Sequence, residues 1–130
     1  MAPPIAVIDF ETTGMVPAQG ARATEVAIVL LEGTQVVDRF ASLMQTGAWI
    51  PPFIEELTGI SNAMVAAAPP AEAVMREAAR FVGDAPMVAH NAAFDSKFWQ
   101  SELQHAGVQA TQPFACTVLL SRRVYPDAPS

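Results

Sequence analysis

Two acids stand one residue apart near the start of the chain, in the run Ile5-Ala6-Val7-Ile8-Asp9-Phe10-Glu11. The run is apolar and of strand length, which predicts a β-strand covered on both faces. Side chains alternate along a strand, so Asp9 and Glu11 leave it on the same face, at its C-terminal end. Two carboxylates held that close do not both ionise readily without a counter-ion. Magnesium or manganese, which prefer carboxylate oxygens, would supply it. The plain alternative is that the strand is ending and both acids sit in water. The next residues, Thr12-Thr13-Gly14, add two hydroxyls and a glycine that permits a tight turn and a close approach of backbone to ligand. Beside a metal pair they suit a sugar hydroxyl or a phosphate; otherwise they are an ordinary strand exit.

A third acid, Asp95, falls in the first turn of a helix for which Asn91 is the candidate cap, within Val88-Ala89-His90-Asn91-Ala92-Ala93-Phe94-Asp95. The helix dipole favours a carboxylate there by about 0.3–1 kcal/mol, which explains the residue structurally. Open α/β sheets, however, place ligands at the C-terminal ends of central strands. If Met87 to Ala89 forms a strand beside the first one, Asp95 faces Asp9 and Glu11, and three acids converge on one cleft.

The elements that must position these acids are readable from apolar patterning. Thr24 to Leu31 and Gln35 to Met44 are β-rich runs joined by the turn sequence Glu32-Gly33-Thr34, which predicts a three-strand meander. Pro51-Pro52 starts a short helix through Leu57 that Gly59 can end. Pro70 leads a second helix with Val74, Ala78, Phe81 and Val82 on one face and Gly83 past its end. The helix from Asn91 runs to about Ala106, with Gly107 as its stop. Phe114-Ala115-Cys116 is a short strand, Thr117 to Tyr125 a fourth helix, and Ala66 to Pro70 a linker. The predicted fold class is α/β: a mixed sheet, antiparallel in its first half, whose later strands arrive through helical crossovers. Trp49 and Trp99 read as packing residues. Met15, Met44, Met64, Met75 and Met87 read as core filler, and Cys116 as a small buried apolar residue. Lys97 and Arg122-Arg123 are candidates for a phosphate backbone, with solvated positions the bland alternative.

Composition narrows the function. The chain has 130 residues, one domain's worth, with 52% apolar and 15% charged residues, which excludes a disordered tail. No apolar run approaches the ~18–20 residues of a membrane helix. Met1 to Gly14 lacks a basic segment and carries two acids, unlike a secretory signal. A single cysteine, Cys116, excludes an internal disulfide and a cysteine zinc cluster, and a reduced, cytoplasmic setting is the default. The net charge of −6 gives none of the basic footprint of most nucleic-acid binders. A divalent cation held by clustered acids is one device that would attract a polyanion to such a chain.

Taken together, the motifs resemble a family. Asp9-Phe10-Glu11-Thr12-Thr13-Gly14 is similar to the first motif of the DEDD (DnaQ-like) 3′–5′ exonucleases of the DNA polymerase III epsilon-subunit type. Ala89-His90-Asn91-Ala92-Ala93-Phe94-Asp95 is similar to their second. Ile54-Glu55-Glu56-Leu57-Thr58-Gly59-Ile60 resembles the nucleotide-contacting segment between them. The stretch from Cys116-Thr117 through Arg122 to Pro126 resembles the helix before the last motif. The resemblance implies an RNase H-like fold and two Mg2+ or Mn2+ ions, with Asp9 bridging both, Glu11 on one and Asp95 on the other. It implies that Thr12, Thr13 and Gly14 meet the terminal sugar, that Leu57 and Phe94 pack on terminal bases, and that Asn91 contacts the nucleotide. The implied partner is a nucleic acid 3′ end, single-stranded DNA before RNA, and with it a DNA polymerase; no membrane is involved.

One departure stands out. The family's third motif, His-x-x-x-x-Asp or Tyr-x-x-x-Asp, is absent: His105 has Ala110 five residues on, and Arg122 and Arg123 precede Asp127 at the two spacings. His90 and Asp95 fit the first string only because both belong to the second motif. The expectation is an exonuclease domain, of the histidine branch, that is incomplete at its C-terminus, lacks its final helix and is inactive by itself. The competing reading is a non-catalytic nucleic-acid-binding or polymerase-associated module on the same fold. A phosphatase with a strand-end Asp nucleophile is a third, and it leaves the later motifs unexplained.

Overall fold

The computed structural model describes residues 4–116 of the chain. Strands β1 (Ile5–Thr12), β2 (Ala23–Glu32) and β3 (Gln35–Leu43) form the expected meander. Both pairs are antiparallel, β1 and β2 holding one register from Ile5 opposite Leu31 to Glu11 opposite Glu25. Gly33 takes a φ of +63° in the β2–β3 turn, a conformation that favours glycine. Three helices follow: α1 (Pro52–Thr58), α2 (Asn62–Ala66) and α3 (Ala71–Val82). Next come β4 (Met87–Ala89), α4 (Ala92–His105) and β5 (Phe114–Cys116). The sheet order is β3-β2-β1-β4-β5, with β4 and β5 parallel to β1. β1 is therefore central, and the α3 crossover delivers β4 to its other side, as the sequence predicts.

The core lies on one face of the sheet. Ala6, Ile8 and Phe10 of β1 and Val26 and Ile28 of β2 are buried in a cluster with Val74, Met75, Ala78 and Val82 of α3 and Phe98, Trp99 and Leu103 of α4. The rings of Phe10 and Phe98 lie 6.3 Å apart. The expectation that β1 is covered on both faces is corrected: Ile5 and Val7, on the alternate face, are half-buried, because α3 and α4 both pack on the side of Ala6, Ile8 and Phe10.

Other expectations shift as well. α2 forms where no helix was predicted, its N-terminus capped by the Ser61 hydroxyl, which accepts the Met64 N–H at 3.1 Å. With Ile50, Ile60 and Val65 it builds a small second core. A 3₁₀ turn, Pro17–Gln19, interrupts the connection from β1 to β2. Trp99 is buried and its indole N–H donates to Gln112 Oε1, whereas Trp49 is 67% exposed and does not pack. Met44, Met75 and Met87 are core filler; Met15 and Met64 sit at the surface. The predicted helix from Thr117 to Tyr125, with Arg122-Arg123, lies outside the described residues, as does the side chain of Cys116.

Candidate active site at the C-terminal end of the central strand

β1 carries its acids where the ladder changes. Asp9 stands opposite Ala27 on β2, whose small side chain leaves room, and Glu11 stands opposite Glu25. The register slips between Glu11 and Thr12, so the strand kinks just past the second acid. Asp9 is exposed and Glu11 half-buried. The Glu11 carboxyl is held above its ordinary value by burial first, then by the charges of Asp9 and Glu25.

The turn after the acids is stitched by its threonines. The Thr12 hydroxyl donates to the Gly14 carbonyl at 2.7 Å. Thr13 exchanges two bonds with Arg22: its N–H donates to the Arg22 carbonyl at 2.9 Å, and its hydroxyl accepts the Arg22 N–H at 3.0 Å. Gly14 does not take a positive φ, and a Cβ there would stand 3.4 Å from Ala21 Cβ. That separation is ordinary contact, so neither a left-handed turn nor a forbidden approach demands glycine at this position.

Asp95 arrives from the other side of the sheet. β4 ends at Ala89, and the Asn91 side chain accepts the Phe94 N–H at 3.4 Å to start α4. The Ala6 N–H donates to the Pro86 carbonyl, so the even-numbered amides of β1 face β4. The Phe10 amide points past the end of β4, where Asp95 stands. Asp95 is only 4% exposed, and its Oδ1 is buried with no hydrogen-bond partner. Burial, then the Asp9 charge, pushes its carboxyl up to about 6, against the opposing pull of the Phe10 and Asp95 amides and of His90. Asp9 is thus the common neighbour of Glu11 and Asp95. Among the described residues no three His, Cys, Asp or Glu side chains are gathered tightly enough to hold an ion unaided. The donor chemistry nevertheless fits a hard divalent cation: a buried carboxylate oxygen without a partner, beside a second carboxylate at a strand end.

The remaining predicted residues divide. Leu57 projects from α1 at 79% exposure, as a side chain that meets a ligand would. Phe94 is half-buried with its ring 4.9 Å from that of Phe98, and Asn91 is occupied as a cap. Lys97 is exposed beside an open groove of about 460 Å³ that it shares with Val16, Pro17, Ala18, Gln100, Ser101 and Gln104.

Sequence reasoning missed Glu102, which is 1% exposed. Its two oxygens accept Nε and Nη2 of Arg22, each at 3.0 Å, and Oε2 also accepts the Ala23 N–H at 2.9 Å. The available signal was its spacing, seven residues after Asp95, between Trp99 and Leu103 on the buried stripe of α4.

Residues 6–130 match the RNase_T exonuclease family model. The chain is 44% identical over 121 residues to the 3′-5′ exonuclease DinG of Bacillus subtilis, covering 92% of itself and 13% of that protein. It is 37% identical over 121 residues to DNA polymerase III subunit epsilon of Aquifex aeolicus, covering 92% of itself and 59% of that protein. A solved structure of exonuclease X in complex with 5′ overhanging duplex DNA superposes with a TM-score of 0.71 at 30% identity, covering 96% of this chain and 66% of that one. The chain belongs to the DEDD-type exonuclease family and has its RNase H-like α/β fold. It spans between about an eighth and three fifths of the length of these two relatives.

Proposed function

We propose that the chain carries the metal-binding half of a 3′–5′ exonuclease site, acting on the 3′ end of single-stranded nucleic acid, DNA before RNA. The observation that carries this reading is the buried, partnerless Oδ1 of Asp95 at the C-terminal end of the central sheet, with Asp9 beside it. Asp9, Glu11 and Asp95 are the residues that would hold Mg2+ or Mn2+. When bound, such ions activate water and stabilise the leaving oxygen of an in-line phosphoryl displacement. The protein's own residues do the rest. The Thr12 to Gly14 turn offers main-chain groups to the terminal sugar. Leu57 and Phe94 present apolar surface to terminal bases, a contact that does not depend on sequence. Lys97 and its groove offer a path for the backbone further along, in keeping with the DNA-bound relative.

General-base action needs a further residue. No His-x-x-x-x-Asp follows Asp95 in these 130 residues. A positioned base contributes typically 10²–10⁴-fold, so the chain alone is proposed to cleave little, with a histidine-type base supplied from elsewhere. Work beside a DNA polymerase, as the name of the Aquifex aeolicus relative suggests, in the reduced cytoplasmic setting that a single cysteine makes the default, completes the proposal.

The test is digestion of 5′-labelled single-stranded DNA and RNA with Mn2+, by these 130 residues and by any longer gene product containing them. Laddering by the longer protein, abolished by Asp9→Ala, supports the reading. An inert longer protein that still binds nucleic acid shifts it to the non-catalytic module.

A further inference from the structure

We infer that the Arg22–Glu102 ion pair is a positioning device for the acid site: it fixes where α4 sits along the sheet and so where Asp95 stands against Asp9. The pair has two-point geometry, with Nε to Oε2 and Nη2 to Oε1 both at 3.0 Å, and its side chains are 16% and 0% exposed. Glu102 lies seven residues, two helical turns, after Asp95, so the two carboxylates share one stripe of α4. Each meets the main chain at a strand end. Glu102 accepts the Ala23 N–H at the start of β2, and the Phe10 N–H at the end of β1 faces Asp95. Between them Phe98 lies against Phe10.

Arg22 is itself bonded to Thr13 in both directions, at 2.9 and 3.0 Å. Arg22 therefore ties the turn that follows Glu11 through its main chain to the helix that carries Asp95 through its guanidinium, and Glu102 adds the start of β2. A buried ion pair is poorly explained by stability, since well-packed apolar residues of similar volume usually serve as well or better. What apolar residues do not supply is a fixed register, because they pack with similar energy at several positions along a groove. A planar fork closed on a carboxylate does supply it.

The metal arm of the test rests on the exonuclease reading; the exchange arm does not. The full chain is compared with Arg22→Leu/Glu102→Leu and with Arg22→Lys, which keeps the charge and loses the fork. Three quantities are measured: Mn2+ affinity by titration calorimetry, hydrogen exchange at the Phe10 and Ile28 amides, and the melting temperature. The double variant, which also leaves the buried Ala23 N–H without its acceptor, is expected to melt somewhat lower than wild type while staying folded, to bind Mn2+ at least tenfold more weakly, and to exchange the Phe10 amide at least tenfold faster with Ile28 unchanged. Arg22→Lys is expected to fall between the two, and it decides the matter if the double variant does not fold. Mn2+ affinity within twofold of wild type together with unchanged Phe10 exchange overturns the inference. If wild type and Asp9→Ala give equal Mn2+ heats, the metal reading falls, and Phe10 exchange alone decides: faster exchange upholds the positioning role and unchanged exchange refutes it.

Discussion

The two halves of the sheet differ in how far their ladders run. On one side β1, β2 and β3 pair over nearly their whole lengths, from Ile5–Leu31 to Thr12–Ala23 and from Glu25–Leu43 to Glu32–Gln35. On the other, β1 and β4 are paired only at Ala6–Met87 and Val7–Val88 before the chain turns into α4. The long ladder satisfies backbone groups and carries the core residues Val26 and Ile28. The short one stops early, leaves the Phe10 amide beyond its end, and makes room for a carboxylate from the next helix. Complete pairing marks the one side, and the acids of the proposed site gather where pairing is cut short on the other.

Four substitutions sharpen or break that division. The largest effect is expected from Asp9→Ala, the common neighbour of the other two acids. It should lower the kcat of the active gene product by at least roughly 10²–10³-fold, the cost of losing one preorganised electrostatic group, while leaving the melting temperature nearly unchanged. A comparable loss of stability would mean that the short side is also structural. Next, Ile28→Ala on the long ladder should cost about 2–5 kcal/mol in chemical denaturation, with the activity per folded molecule retained.

Third, Asp95 gives the metal-free protein a pH signature. A carboxyl raised to about 6 in the folded state binds more protons there than in the unfolded chain. Stability contributed by its protonated form is therefore present at low pH and is lost as pH rises from about 4 to about 6. The loss is on the order of 2–3 kcal/mol. Asp95→Asn should flatten the denaturation midpoint across this range and raise it at pH 7; an unchanged slope would show that the carboxylate is not desolvated. The smallest effect is expected from Leu57→Ala. At 79% exposure it should change stability by less than about 0.5 kcal/mol. It should raise KM about fivefold, or roughly 1 kcal/mol.

The same division governs what could be read from the sequence. The meander was legible because its strands are long apolar runs broken by Glu32-Gly33-Thr34. α3 was legible because Val74, Ala78 and Val82 recur at helical spacing and Gly83 ends the pattern. Asp9, Glu11 and Asp95 stood out because acids at strand and helix ends interrupt such patterns. α2 was not legible: it has only one buried residue, Val65, and its last residue, Ala66, opens the run that reads as a linker. Nor was the exposure of Trp49, because an aromatic residue shows no preference until its neighbours are placed. Glu102 could be recognised as an anomaly on an apolar stripe, but its partner lies 80 positions away in a loop. No local pattern encodes a contact at that distance.

β2 runs antiparallel to β1, so the Glu32-Gly33-Thr34 turn stands at the pole of the sheet opposite the acids. Gly33 and Thr34 are exposed, nothing lies within 4 Å of where a Gly33 Cβ would be, and β3 beyond them is exposed along most of its length. That makes the turn a chemically silent handle. Tags, fluorophores or whole inserted domains belong there, at an exposed loop tip of the kind that tolerates insertion, because added length can loop out into solvent without passing near the acids or the helix that aims Asp95.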